Sequence, residues 1–188
     1  MDQKSEENNW TTLSSTPIYD NPWINVTEHQ VINPSGGRGI YGLVRFKNIA
    51  VGIVPLDEEY NVWLVGRYRY ALQEYNWEIP EGGCLKGKES VLEAAQRELK
   101  EETGLCAEQW TEIGKMHTSN SVTDEVGYIL IAQGLSMTEA APEETEDLQV
   151  RKVSLNEAVE MCMCGEITDS LSSIALLKVK MLLDRGAL

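Results

Sequence analysis

The sequence predicts an α+β domain built on mixed or antiparallel sheets. Strand-like runs come first, then one helix with clear end signals, then more strands, then terminal helices. No internal repeat or low-complexity linker interrupts that order. The 188-residue length suits one domain with an extra arm and buries roughly 70% of the unfolded surface.

Residues 1–15 are polar and are expected to form a loose tail. The β-rich stretch Trp23 to Ile32 ends at Asn33-Pro34-Ser35-Gly36-Gly37, a strong turn signal. Ile40 to Phe46 follows as a strand. Ile49 to Leu56 is a continuous apolar run suited to a buried strand. Asp57-Glu58-Glu59 turns the chain into Asn61 to Tyr70, and the last two runs are expected to pair as a hairpin. Trp77 to Gly83 is expected to be a loop with two glycines.

A helix then begins with the capping box Ser90-x-x-Glu93. Leu92, Ala95 and Leu99 form its expected buried stripe, and Gly104 its C-terminal cap. Trp110 to Thr118, Tyr128 to Ala132 and Leu148 to Val153 are further strands, with an acidic loop from Thr138 to Asp147. Ser154-x-x-Glu157 is a second capping box. Asp169 opens the last helix, packed through Leu171, Ile174, Ala175, Val179 and Leu182.

The formal charge is −14. It argues against general nucleic-acid binding and against docking on anionic lipid, both of which need cationic surface. An anionic ligand would need a cation between itself and this carboxylate. No apolar run is long enough to span a bilayer, and the polar start does not resemble a signal peptide. Cys84, Cys106, Cys162 and Cys164 fit neither a disulfide framework nor a four-ligand zinc site, so the cytoplasm is the expected compartment.

The segment from Gly83 to Leu105 carries the chemistry. Gly83 precedes Glu89 by six positions and Arg97 by fourteen, and Glu98, Leu99, Glu101, Glu102, Gly104 and Leu105 follow. On a helix, Glu98, Glu101 and Glu102 crowd one side and repel. They also stand at the end where the macrodipole disfavours negative charge. A divalent cation relieves both penalties, and hard oxygen ligands suit Mg²⁺ or Mn²⁺. Arg97, four residues from both Glu93 and Glu101, is expected to bridge them and brace the metal-facing set. Gly82 and Gly83 let backbone approach closely. The bland alternative is a solvated helix laced with charge. The full pattern of seven fixed and two apolar positions arises by chance with odds on the order of 10⁻⁷.

This segment resembles the Nudix box, Gly-x5-Glu-x7-Arg-Glu-(apolar)-x-Glu-Glu-x-Gly-(apolar), and matches at every specified position over 23 residues. In weaker form the resemblance extends over most of residues 17–185. It implies the Nudix fold, a mixed β-sheet core sandwiched between α-helices. It also implies Mg²⁺-dependent hydrolysis of a nucleoside diphosphate linked to another moiety. Glu98 and Glu102 would be the principal metal ligands, with Glu101, the Gly82 carbonyl and Glu146 accessory. Glu89 would help through water or by bracing the loop.

Three further features are similar to ADP-ribose pyrophosphatases and nucleoside diphosphate sugar hydrolases. The first is Arg67-Tyr68-Arg69 followed by Trp77-Glu78-Ile79-Pro80-Glu81-Gly82-Gly83. The resemblance implies that Arg69 holds a phosphate and places Arg67 and Glu78 beside the substrate. The second is the acidic loop Glu143-Glu144-Thr145-Glu146-Asp147. It resembles a catalytic loop supplying the glutamate that positions or deprotonates the attacking water, Glu146 by first choice and Glu144 by second. The third is residues 16–46, which resemble the N-terminal strands with which this subfamily builds a homodimer, leaving 47–188 as the hydrolase domain. Tyr19 or Trp23 from this arm would stack on a base, although strand aromatics more often serve a core or a dimer interface.

ADP-ribose-specific members carry a proline 16 residues after the second box glycine. Here that position is Asn120, which favours a broader nucleotide-sugar hydrolase for ADP-ribose, GDP-mannose or UDP-glucose. Ser119, Asn120 and Ser121 are candidates for sugar hydroxyls, with turn chemistry the favoured alternative. Glu125 is a weaker candidate for substrate or metal. His29 and His117 have no triad partners. The rival functions are a dinucleoside polyphosphate or NADH-type pyrophosphohydrolase and a nucleotide-sensing Nudix domain without catalysis.

Overall fold

The computed structural model describes residues 8–138 and 148–188. The chain divides into two units. The first runs to Lys47 and adds Ser119–Glu125; the second holds Asn48–Thr118 and Val126–Leu188.

The first unit is an antiparallel sheet of β1 (Thr11–Asp20), β2 (Ile24–Ile32) and β3 (Arg38–Phe46), in that order. Strand β1 begins inside the stretch expected to be a tail. As an edge strand it tolerates Pro17, which has no N–H to give to a ladder. Asn21 turns the chain between β1 and β2, its side chain accepting from the Trp23 and Ile24 N–H groups at 2.9 and 2.7 Å. Asn33 does the same after β2, accepting from Ser35 and Gly37, while Gly36 takes φ 84°. The Ser119–Glu125 segment joins β3 through the Val44 N–H to the Val122 carbonyl and the Phe46 N–H to Asp124 Oδ1.

The second unit holds two sheets. The first is mixed, ordered β7 (Glu81–Leu85), β4 (Asn48–Pro55), β9 (Val126–Met137), β8 (Leu105–His117), with β4 and β9 parallel. The other is antiparallel, ordered β10 (Gln149–Ser154), β5 (Asn61–Arg69), β6 (Glu74–Glu78). Alternation along β4 and β9 sends Ile53 and Leu130 to the core beneath α1 (Val91–Thr103). It sends Val54, Ile129 and Ile131 to the core shared with α2 (Leu155–Cys164) and α3 (Ser170–Asp184). The mixed sheet therefore lies between helices, as the fold expectation had it.

Several local expectations are corrected. β4 and β5 do not form a hairpin; they belong to different sheets, linked at their ends by the isolated Leu56–Val62 bridge. Both edges of β4 are already taken, by β7 and β9. The expected loop Trp77–Gly83 consists largely of the ends of two short strands, β6 and β7, broken at Ile79 and Pro80. Its glycines mark close approach rather than a loop: a Cβ on Gly83 would lie 3.0 Å from the Asn48 amide. The buried face of α1 is Ala94, Ala95 and Leu99, whereas Leu92 is 42% exposed. Ile174 likewise faces outward from α3. The capping box at Ser90 is complete, and Gly104 caps α1 at φ 71°. At Ser154 the hydroxyl accepts from the Glu157 N–H, but the Glu157 carboxylate turns to Arg151 instead.

Candidate active site

The box carboxylates sit where the C-terminal half of α1 faces β7 and the adjoining ends of β5 and β6. The left-handed cap at Gly104 ends α1 one residue after Thr103, so Glu98, Glu101 and Glu102 occupy its last turn and a half. Glu98 lies against Gly82. A Cβ added there would stand 2.0 Å from the Glu98 carboxyl carbon, so any side chain at this position would displace the Glu98 carboxylate. Glu98 accepts the Gly83 N–H at 3.1 Å and a bond from Arg97 at 2.7 Å. Burial pushes its carboxyl above the usual range, against the pull of Arg97. Glu102 is 4% exposed and accepts the Glu81 N–H at 3.0 Å and a guanidinium N–H of Arg67. Burial pushes it up to about 7, with Arg67 opposing.

Arg97 ties the box together. It donates to Glu98, to Glu101 at 3.0 Å, to Glu89 at 3.2 Å and to the Gly83 carbonyl at 2.9 Å. The expected bridge to Glu93 is absent because Glu93 is consumed by the capping box, accepting from the Ser90 N–H and hydroxyl. Glu89 accepts the Leu85 N–H, which together with Arg97 holds its carboxyl below the usual range, and so braces the loop before α1.

Arg67 and Arg69 enter from β5, on alternate residues of one strand. Arg69 clasps Glu78 through two bonds of 2.8 and 3.1 Å from Nε and also reaches Glu81. Arg67 Nε stands 3.8 Å from Glu78. Glu81 joins this group through the fold. Burial, with Asp169 and Glu78 nearby, pushes its carboxyl well up. A cleft of about 490 Å³ opens beside Arg69, Glu78 and Glu81, walled by Tyr70, Leu72 and Asp169. Glu81 lies in the segment that resembles the family and Asp169 is legible as a helix N-cap, but only the tertiary fold brings them to Arg69.

Among the described residues, no three acidic, histidine or cysteine side chains converge at metal-holding spacing. The carboxylates turn instead to the arginines. Glu78, Glu81, Glu89, Glu98, Glu101 and Glu102 nevertheless outnumber Arg67, Arg69 and Arg97 two to one. Hard oxygen donors, unbalanced negative charge and the bare backbone at Gly82 fit a small divalent cation.

The remaining candidates lie elsewhere. Tyr19 and Trp23 belong to the first unit and are 55% and 65% exposed, so neither is a core residue. Ser119, Asn120 and Ser121 form a turn, with the Val122 and Thr123 N–H groups both donating to the Ser119 carbonyl at 3.0 Å. Glu125 is half-buried, its N–H donating to the Thr123 hydroxyl. Glu144 and Glu146 fall outside the described residues.

Residues 46–168 match the NUDIX domain, and residues 10–44 match the nucleoside diphosphate sugar hydrolase N-terminal domain. The ADP-ribose pyrophosphatase of Mycobacterium tuberculosis (strain ATCC 25618 / H37Rv) is 30% identical over 176 residues, covering 92% of this chain and 84% of that protein. The ADP-ribose pyrophosphatase of Bacillus subtilis (strain 168) is 29% identical over 167 residues, covering 88% and 89%. A crystal structure of an ADP compounds hydrolase superposes with a TM-score of 0.85 at 24% identity, over 98% of this chain and all of that one, and shares its fold. With the NUDIX domain matched over most of its length and the box carboxylates gathered at the end of α1, the chain belongs to the NUDIX hydrolase family.

Proposed function

We infer that the protein hydrolyses the pyrophosphate bond of nucleoside diphosphate sugars of the ADP-ribose, GDP-mannose and UDP-glucose type in a Mg²⁺-dependent reaction. The observation that carries this reading is the half-buried Glu98 and the buried Glu102 set against the bare Gly82 backbone. The relatives named for ADP-ribose and the match to the sugar-hydrolase N-terminal domain support the substrate class.

Glu98, Glu102, Glu101 and the Gly82 carbonyl would hold Mg²⁺, with Mn²⁺ a workable substitute. The ion supplies positive charge against the pyrophosphate and its leaving group. Arg97 fixes Glu98 and Glu101 in orientation, and Glu89 fixes Arg97. Arg69, on the rim of the cleft, would exchange part of its hold on Glu78 and Glu81 for a substrate phosphate. Glu146, or failing it Glu144, would take the proton of the attacking water. Water adds across the phosphorus–oxygen–phosphorus bridge and yields a nucleoside monophosphate and a sugar phosphate. Asn120, in the place where ADP-ribose-specific members carry proline, favours several nucleotide sugars over one. The exposed apolar side chains of the N-terminal sheet, Leu13, Ile18, Trp23 and Ile40, support a homodimer.

A phosphatase-coupled assay tests the reading. ADP-ribose, GDP-mannose, UDP-glucose, diadenosine tetraphosphate and NADH are each supplied with Mg²⁺ or with EDTA. Intact nucleotide sugars have no terminal phosphate, so release follows only cleavage between the phosphates. Release from several nucleotide sugars, abolished by EDTA, is expected. Glu98→Gln and Glu102→Gln should each lower turnover by at least about a hundredfold, the scale of losing a principal charge-stabilising group, with the fold intact. Silence across the panel with nucleotide still bound overturns hydrolysis and favours a sensor. Near wild-type turnover in both variants overturns the metal assignment.

A further inference from the structure

The carboxylate assigned to the cation already holds a cation of the protein's own. Arg67 donates to Glu102 through Nη2, with the arginine side chain 13% exposed and the glutamate side chain 2%. A guanidinium cannot shed its charge in a protein, so a buried one must keep a carboxylate partner wherever it goes. A second partner stands ready. Glu78, its side chain 3% exposed, lies 3.8 Å from Arg67 Nε and is already gripped by Arg69, which also holds Glu81. Glu81, Arg69, Glu78, Arg67 and Glu102 thus form an alternating line of charge through the second unit.

We propose that Arg67 is the resident counter-ion of the metal site: it neutralises Glu102 in the metal-free enzyme, and a divalent cation enters by exchange, passing the guanidinium to Glu78. The inference rests on the reading of Glu102 as a metal ligand. Its physical content is competition. Without Arg67, Glu102 would be buried beside Glu98 with no positive partner, which destabilises the empty site. With Arg67, the empty site is stable, but every incoming cation must first displace it. By linkage, removing the competitor strengthens cation binding by the excess of the Arg67–Glu102 pair over the Arg67–Glu78 pair that replaces it in the loaded state.

The test is titration of the wild type, Arg67→Met, Arg67→Lys and Glu102→Gln with Mn²⁺ alone, at mildly alkaline pH and without nucleotide. Binding is followed by calorimetry and by the loss of free-ion paramagnetic signal. Arg67→Met is expected to bind Mn²⁺ on the order of fivefold tighter than wild type. Arg67→Lys, which keeps the charge, should stay nearer wild type. The metal-free Arg67→Met protein should melt below wild type, and saturating Mn²⁺ should close most of that gap, which a merely structural arginine would not produce. If Arg67→Met fails to fold, Arg67→Gln takes its place. Unchanged or weaker Mn²⁺ binding in a folded, neutral variant overturns the exchange. Wild-type Mn²⁺ binding in Glu102→Gln instead overturns the ligand assignment beneath it.

Discussion

Glu102 is a carboxylate kept from water on nearly all sides, and burial lifts it from an ordinary 4.5 to about 7. An acid raised in the folded state favours the protonated form there. Its stabilising contribution is complete below the unfolded value and is lost as pH rises through the folded one. Glu98 and Glu81 shift in the same direction. The metal-free protein should therefore lose thermal stability between about pH 5 and pH 8, by a few kcal/mol in all. Mg²⁺ should restore most of the loss at the alkaline end, and Glu102→Gln should flatten the profile. Melting curves in EDTA and in Mg²⁺ across that range decide the point; a flat profile in EDTA would show that these carboxylates are already relieved. The crowding of Glu98, Glu101 and Glu102 is legible in the sequence because helical spacing alone creates it. The partners of Glu102 and Glu78 are not. Arg67 lies 35 residues from Glu102 in the chain, and no local pattern announces a contact of that kind.

Helix α1 is the element that turns sequence into site geometry. Its start is fixed by Ser90 and Glu93, which satisfy each other's backbone donors, and its end by Gly104 in the left-handed conformation. These are local interactions, so both ends could be placed from the sequence. The two short strands leading into it could not. β6 and β7 have five residues each, and Gly82 and Gly83 are present for close packing rather than for a turn. Ser90 touches Glu93 and none of the box carboxylates. Ser90→Ala should accordingly cost about 1 kcal/mol of stability, the typical worth of an N-cap, and leave the turnover of the folded fraction near wild type. Urea unfolding and assay of the same samples separate the two quantities. A loss of turnover beyond the unfolded fraction would mean that the cap also sets the position of Glu98.

At the scale of the whole molecule, the two units differ in how they bury apolar surface. The second has continuous cores on both sides of its mixed sheet. In the first, β1 is exposed along its entire length, and Val31 and Thr27 are the buried side chains of its three strands. Such a sheet is marginal without something to cover it. Its exposed side chains include Leu13, Ile18, Tyr19, Trp23 and Ile40, which are costly to leave in water at roughly 25 cal/mol per Å². In the proposed homodimer a second copy of the chain would supply the cover, because two such faces meet by the same operation. Opposing this, each copy brings a formal charge of −14. Apolar attraction at short range and charge repulsion at long range respond differently to salt, which screens only the second. Sedimentation should give twice the 21.0 kDa chain mass, with association tightening as salt rises. Ile40→Glu, which places one more carboxylate on the exposed face, should weaken association. A wild-type chain that sediments as a single copy at micromolar concentration and moderate salt would overturn the homodimer.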